Sequence, residues 1–223
     1  MATTSIGAPG VTFPDATVQA SAVTGVPVII AATSPGTWTK NTGLKAIKVT
    51  VVGGGGNGGG VTSAANGGGG SGGGGGTSIL IYPAPSLPGP QPYTVGTAGN
   101  TSSFGVAPVT VVSATGGSAG GTAPTPIAAG TGGSGSGGTL NIKGGSGLIG
   151  SATSTNATNP GGSSFLGTPS PTVSNPVPGG TTNGAAGNSY GGGGSGAAKS
   201  SAPGPVLTGG AGGTGVVIIE EFY

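Results

Sequence analysis

The chain has 223 residues, a net charge of +2, 57 glycines and 19 prolines, and contains no cysteine and no histidine. Disulfides and thiolate metal sites are therefore excluded. Its acids are Asp15, Glu220 and Glu221, so residues 16–219 offer no carboxylate, imidazole or thiol from which a Ser–His–Asp or Cys–His arrangement could be built.

Glu220 and Glu221 are adjacent, and on a strand they point to opposite faces, which spoils them as a glycosidase pair. The reading is of a non-enzyme with no catalytic residue, no metal site and no cofactor. Lys40, Lys45, Lys48, Lys143 and Lys199 are the only bases, and only the first three lie close together. That is too sparse for a phosphate groove, so no nucleic-acid partner is expected. No apolar run approaches the ~20 residues of a membrane helix, and MATTSIGAPG lacks the charged start and apolar stretch of a secretory leader.

In chain order, GVTFPDATVQASA (10–22) alternates around Pro14-Asp15 and predicts a short hairpin or strand. VPVIIAA (26–32) follows and is broken by SPG (34–36); residues 1–35 read as a small attachment region. From Trp38 onward short β runs become legible: KAIKVTVVG (45–53), TSILIY (77–82), YTVG (93–96), TSSFG (101–105), VTVVSATGG (109–117) and TGVVIIEEFY (214–223). Bounded by Gly, Pro and Asn, they predict an all-β sandwich or barrel without significant helix. Trp38 and the pair Phe222-Tyr223 are expected to pack together.

The glycine runs (53–60, 67–76, 116–121, 130–138, 191–196 and 209–215) lie between these strands and lack a Gly-X-Y period. A chain one third hydrophobic and 4% charged does not have the composition of a disordered one. An ordered solution is a bundle of polyproline-II-like helices, close enough for each glycine N–H to find a neighbouring carbonyl. Segments 83–92, 122–129 and 151–190, rich in Pro, Ser, Thr and Asn, are expected as surface loops able to bind. The aromatics Tyr82, Tyr93, Phe165 and Tyr190 in or beside them are candidate receptor contacts. GTGGSG (130–135) and GGSGAAKS (193–200) imitate nucleotide-binding motifs. The first lacks a βαβ setting; the second has Ala198 before Lys199 and prolines, not a helix, after it.

GVTFPDATVQASA resembles a short segment recurring in phage tail-fibre and tail-associated proteins, with Ala16 where a glycine usually stands. Trp38-Thr39, LKAIKVTVVGGGGNGGG, TSILIY, YTVGTAGNTSSFG, VVSATGGSAGG and GGAGGTGVVIIEEFY resemble, in that order, the glycine-rich domain near the C-termini of many phage tail fibres. The resemblance spans residues 36–223, with most of 151–190 unmatched. It implies a sandwich-like framework carrying ordered polyglycine-II-like segments topped by variable loops. It further implies a virion location and attachment through residues 1–35 to other tail or virion proteins. The expected assembly is a homotrimer, with loops contacting a host outer-surface protein or polysaccharide. The alternative is a purely structural virion protein, a fibre shaft or capsid decoration. No family receptor residue carries over, because the loops are the divergent part.

Overall fold

The computed structural model describes residues 26–124, 127–151, 158–172 and 179–223. It also describes the backbone of three earlier strands, Ser5–Gly7 (β1), Gly10–Thr12 (β2) and Val18–Gln19 (β3). These pair antiparallel in the order β1-β2-β3, and Val11 opposite Gln19 makes the expected hairpin. Its turn, with Pro14 and Asp15, lies outside the described residues.

The chain continues through β4 (Val28–Ala32), β5 (Gly36–Trp38), β6 (Ala46–Val52), β7 (Gly67–Gly68), β8 (Thr77–Pro83) and β9 (Gln91–Thr94). Then come β10 (Ser102–Phe104), β11 (Val112–Ala114), β12 (Gly135–Ser136), β13 (Leu140–Ile142), β14 (Thr181–Thr182), β15 (Ala198–Lys199) and β16 (Val216–Phe222). Every pairing between these strands is antiparallel, and among the described residues the only helical piece is a 3-10 turn at Ala84–Ser86. The protein is all-β.

Two five-stranded sheets, β13-β8-β6-β16-β4 and β12-β11-β10-β9-β5, form the framework. Alternation decides which side chains meet between them. Ile47, Val49 and Val51 from β6 and Val217 and Ile219 from β16 share one core with Trp38, Phe104, Val112 and Ala114 from the other sheet. Phe104 is its centre, with ring centroids 6.2 Å from Trp38 and 5.6 Å from Tyr82. Burying each such aliphatic side chain contributes about 1.5–3 kcal/mol.

The boundary expected at residue 35 is displaced. Val28–Ala32 pairs with β16 from Val28 opposite Glu221 to Ala32 opposite Val217, and so belongs to this sheet. The register also gives the framework two distinct ends. Val28, Ala46, Pro83 and Phe222 lie at one. At the other, Val52, Thr77 and Val216 run directly into Gly53, Gly76 and Gly215.

Beyond that second end the glycine segments bond to one another. Residues 67–76 are buried throughout, and nine successive N–H groups, from Gly68 to Gly76, donate to carbonyls of neighbouring segments at 2.8–3.0 Å. Their targets rotate with a period of three. Gly69, Gly72 and Gly75 reach Ala197, Gly194 and Gly191; Gly70, Gly73 and Gly76 reach Gly121, Ser118 and Thr115; Gly68, Ser71 and Gly74 reach Ser151, Leu148 and Gly145. The carbonyls of the same segment accept from Gly53, Gly56 and Gly59, from Gly130 and Gly133, and from Gly162. Six neighbours thus surround one strand of glycine, and past its first two residues, which join β15, its N–H groups are paired without a sheet. Side chains have no room: a methyl on Gly73 would strike the Thr131 carbonyl, and one on Gly72 the Gly56 carbonyl. Ser71 is the exception, and its hydroxyl accepts from the Leu148 N–H at 2.6 Å.

Candidate functional site

Because the glycine segments run out from the framework and back, their turns collect at the far end, here called the tip. Among the described residues they lie near 61–66, 122–124, 148–151, 179–181 and 199–207. Backbone pairings hold them together: Val61 bridges to Ala123 and Leu207, Gly68 to Ser151, and a small sheet forms in the order β14-β15-β7. Beneath them Val61, Ala65, Ala123, Ala197 and Leu207 form a second, smaller hydrophobic cluster, with Ile127 packed against it.

Lys199 is the clamp of the tip. It is fully buried, and its ammonium donates to Thr62 O at 2.6 Å, Pro205 O at 3.1 Å and Ser63 O at 3.2 Å. All three protons are used, which is how a buried ammonium is tolerated without a carboxylate. The sequence around it that imitates a phosphate-binding loop is therefore a structural element. Residues 53–215 contain Lys143 and Lys199 as their only charged side chains, so the tip turns expose polar and apolar groups such as Ile149 and Val206.

The expected loops divide between the two ends. Segments 122–129 and the ends of 151–158 and 172–182 belong to the tip, while residues 125–126, 152–157 and 173–178 lie outside the described residues. Segment 83–92 follows Pro83 and sits at the opposite end, with Val28 and Phe222. It is only partly a loop: Ala84 and Leu87 are buried in the framework core.

The four aromatic candidates are not brought together. Tyr82 is corrected: it is buried, its ring packs on Phe104, and its hydroxyl donates to Thr110 O at 2.7 Å. Strand β8 continues through the start of the proline-rich stretch and carries Tyr82 on its inward face, and burial pushes the phenol above its ordinary value. Tyr93 is half-buried on β9 against the core. Phe165 is 55% exposed on a turn closed by Ser164 N–H to Gly167 O. Tyr190, at φ 69°, ends a neighbouring turn, and Ser164 Oγ donates to its carbonyl. Phe165 and Tyr190 therefore share one region, where the glycine segments meet the framework and not at the tip.

A polar cluster at the base escaped the sequence reading. Glu221, on the inward face of β16, accepts from Trp38 Nε1 at 2.6 Å, Tyr223 Oη at 2.6 Å and Asn41 Nδ2 at 3.2 Å. Trp38 and Tyr223 thus meet through a carboxylate. The bond to Glu221 raises the Tyr223 pKa, and Asn41 partly offsets it. Glu220, on the opposite face, pairs with Lys48 at 2.8 Å. Opposite faces do separate the two carboxylates. The alternation of β16 could have flagged a buried acid here, but nothing local named its partners.

Neither the protein-family models nor the curated proteins searched match this sequence.

Proposed function

We propose that this chain is a component of a bacteriophage tail fibre or tail tip that attaches the virion to a host cell-surface receptor through the tip turns. One observation carries the reading: hydrogen-bonded glycine segments gather the turns at the end opposite to the one where residues 26–28 join the sheet. The threefold rotation of their partners is that of polyglycine-II-like helices, three residues to a turn. A turn already ordered loses less entropy on binding. With no exposed charge among the tip residues named above, the surface suits an uncharged protein loop or a polysaccharide.

The test places charge at each end. Ile149→Asp and Val206→Asp at the tip are expected to lower binding of the purified protein to susceptible cells about tenfold or more, by burying an unpaired charge. Ile81→Asp on the outer framework face is expected to leave binding unchanged. Equal effects at both ends, or no cell binding by the correctly folded protein, would remove the reading.

A purely structural role in the virion is the second reading. Ile29, Ile81 and Leu140 are exposed on the outer face of one five-stranded sheet, around the Lys48–Glu220 pair. Such a face favours packing against another subunit. A homotrimer in light scattering that Ile81→Asp converts to monomer, with cell binding absent throughout, would establish that role instead.

A further inference from the structure

The strands β4 and β5 are the last of their respective sheets, and a cavity of about 250 Å³ lies beside them. Its lining includes Ile30, Trp38, Asn41, Tyr93, Ile219 and Glu221. Asn41 is exposed at the rim, Trp38 and Glu221 are buried, and Tyr93 stands between.

Glu221 is only 1% exposed, and its three hydrogen-bond donors, the Trp38 indole, the Tyr223 hydroxyl and the Asn41 amide, are all neutral. The lysines that come closest in sequence to this end are engaged elsewhere. Lys40 donates to Ala84 O at 2.7 Å, Lys45 to Gly43 O at 3.3 Å, and Lys48 pairs with Glu220. Among the described residues no cation is paired with Glu221. A buried carboxylate without a counter-charge is costly, whereas hydrogen bonds from neutral groups answer only part of its charge.

We propose that this cavity is a binding site for one organic cation, an alkylammonium or guanidinium group, seated against the Glu221 carboxylate with Trp38 and Tyr93 as aromatic walls. The rings attract a cation through their quadrupole, most strongly where water is excluded. A calcium or magnesium ion is a poor fit, because it demands six or more oxygen ligands and only one carboxylate is present; zinc is no better served in a chain without histidine or cysteine. A neutral sugar would leave the charge unanswered. The cation is either a free amine or a Lys or Arg side chain of an adjoining protein. The site lies at the base, where Val28 pairs with Glu221, so it stands independently of what the tip binds.

Trp38 is the only tryptophan in the chain, which makes it a built-in reporter. The full chain is titrated with n-butylammonium, n-butylguanidinium and short peptides containing one Lys or Arg, with n-butanol as the neutral control. The expected result is a saturable change in Trp38 fluorescence at millimolar cation and none with n-butanol. Glu221→Gln preserves the volume and an acceptor for Trp38, and should weaken cation binding about tenfold or more. Tyr93→Leu leaves the carboxylate in place and should weaken it about threefold to tenfold. A peptide at least about tenfold tighter than the free amines identifies a protein side chain as the natural occupant; equal affinities identify a small molecule. Absence of saturation with every cation, an equal response to n-butanol, or unchanged affinity in Glu221→Gln overturns the site. Should Glu221→Gln fail to fold, unchanged affinity in Tyr93→Leu overturns it alone.

Discussion

The two halves of this molecule reach order by opposite means. In the framework, side chains do the work: Ile47, Val49, Phe104 and Ile219 leave water together, and the backbone ladder follows from their alternation. In the glycine segments the backbone does most of it, with N–H and C=O groups as the main adhesive and side chains shut out at nearly every position. The first arrangement weakens when an atom is removed; the second, when one is added. Glycine loses more conformational freedom on folding than any other residue. Its use over residues 67–76 makes sense only because no larger residue lets six neighbours approach.

The largest expected effect comes from the framework. Phe104→Ala should cost about 3–5 kcal/mol in denaturant unfolding, since the ring fills the centre between Trp38 and Tyr82. Amide protection should fall in both halves, because the glycine segments grow from the framework strands. Next, Gly73→Ala should cost about 3 kcal/mol, as the new methyl meets the Thr131 carbonyl. Here hydrogen exchange should rise in 53–60, 115–121 and 130–133 while β6 and β16 keep their protection. Gly89→Ala is the contrast: a methyl there meets nothing within 4 Å, so stability should change by less than about 1 kcal/mol. If Gly73→Ala proved as mild as Gly89→Ala, the close packing of the glycine segments would be refuted.

At neutral pH the smallest change in the framework is that of Tyr82, which shows itself chiefly as a pH dependence. Tyr82 has its pKa raised above the ordinary 10.0 by burial. Below pH 10 the phenol is neutral both folded and unfolded, and its contribution is fully present. Above pH 10 the unfolded chain ionises first, so stability should decline by about 1.4 kcal/mol per pH unit from this group. Tyr82→Phe should flatten the decline while costing about 1 kcal/mol at neutral pH through the lost bond to Thr110 O. A decline unchanged in Tyr82→Phe would locate the titration elsewhere.

The long framework strands were legible because they alternate. Residues 46–52 and 216–222 show their inward and outward sets in the chain itself, and the buried Glu221 follows from the same parity. The pieces that were missed depend on distant partners. Gly36 reads as the end of the SPG break, yet it opens β5 by pairing with Tyr93, far along the chain. Segment 28–32 reads as part of the attachment region because its partner, β16, lies nearly the whole chain away. Tyr82 ends the legible run TSILIY, but that it faces inward shows only once Phe104 of the other sheet packs against its ring. Lys199 sits in a stretch that imitates a phosphate loop, and only the fold reveals the three carbonyls that surround it.

That clamp has a consequence for how the tip can change. Lys199 grips Thr62, Ser63 and Pro205 by main-chain oxygens, which every amino acid possesses. Residues at 62, 63 and 205 can therefore be exchanged for others without loosening the grip, provided the turn keeps its path. The outermost face of the molecule is free to be rewritten while its fastening stays the same.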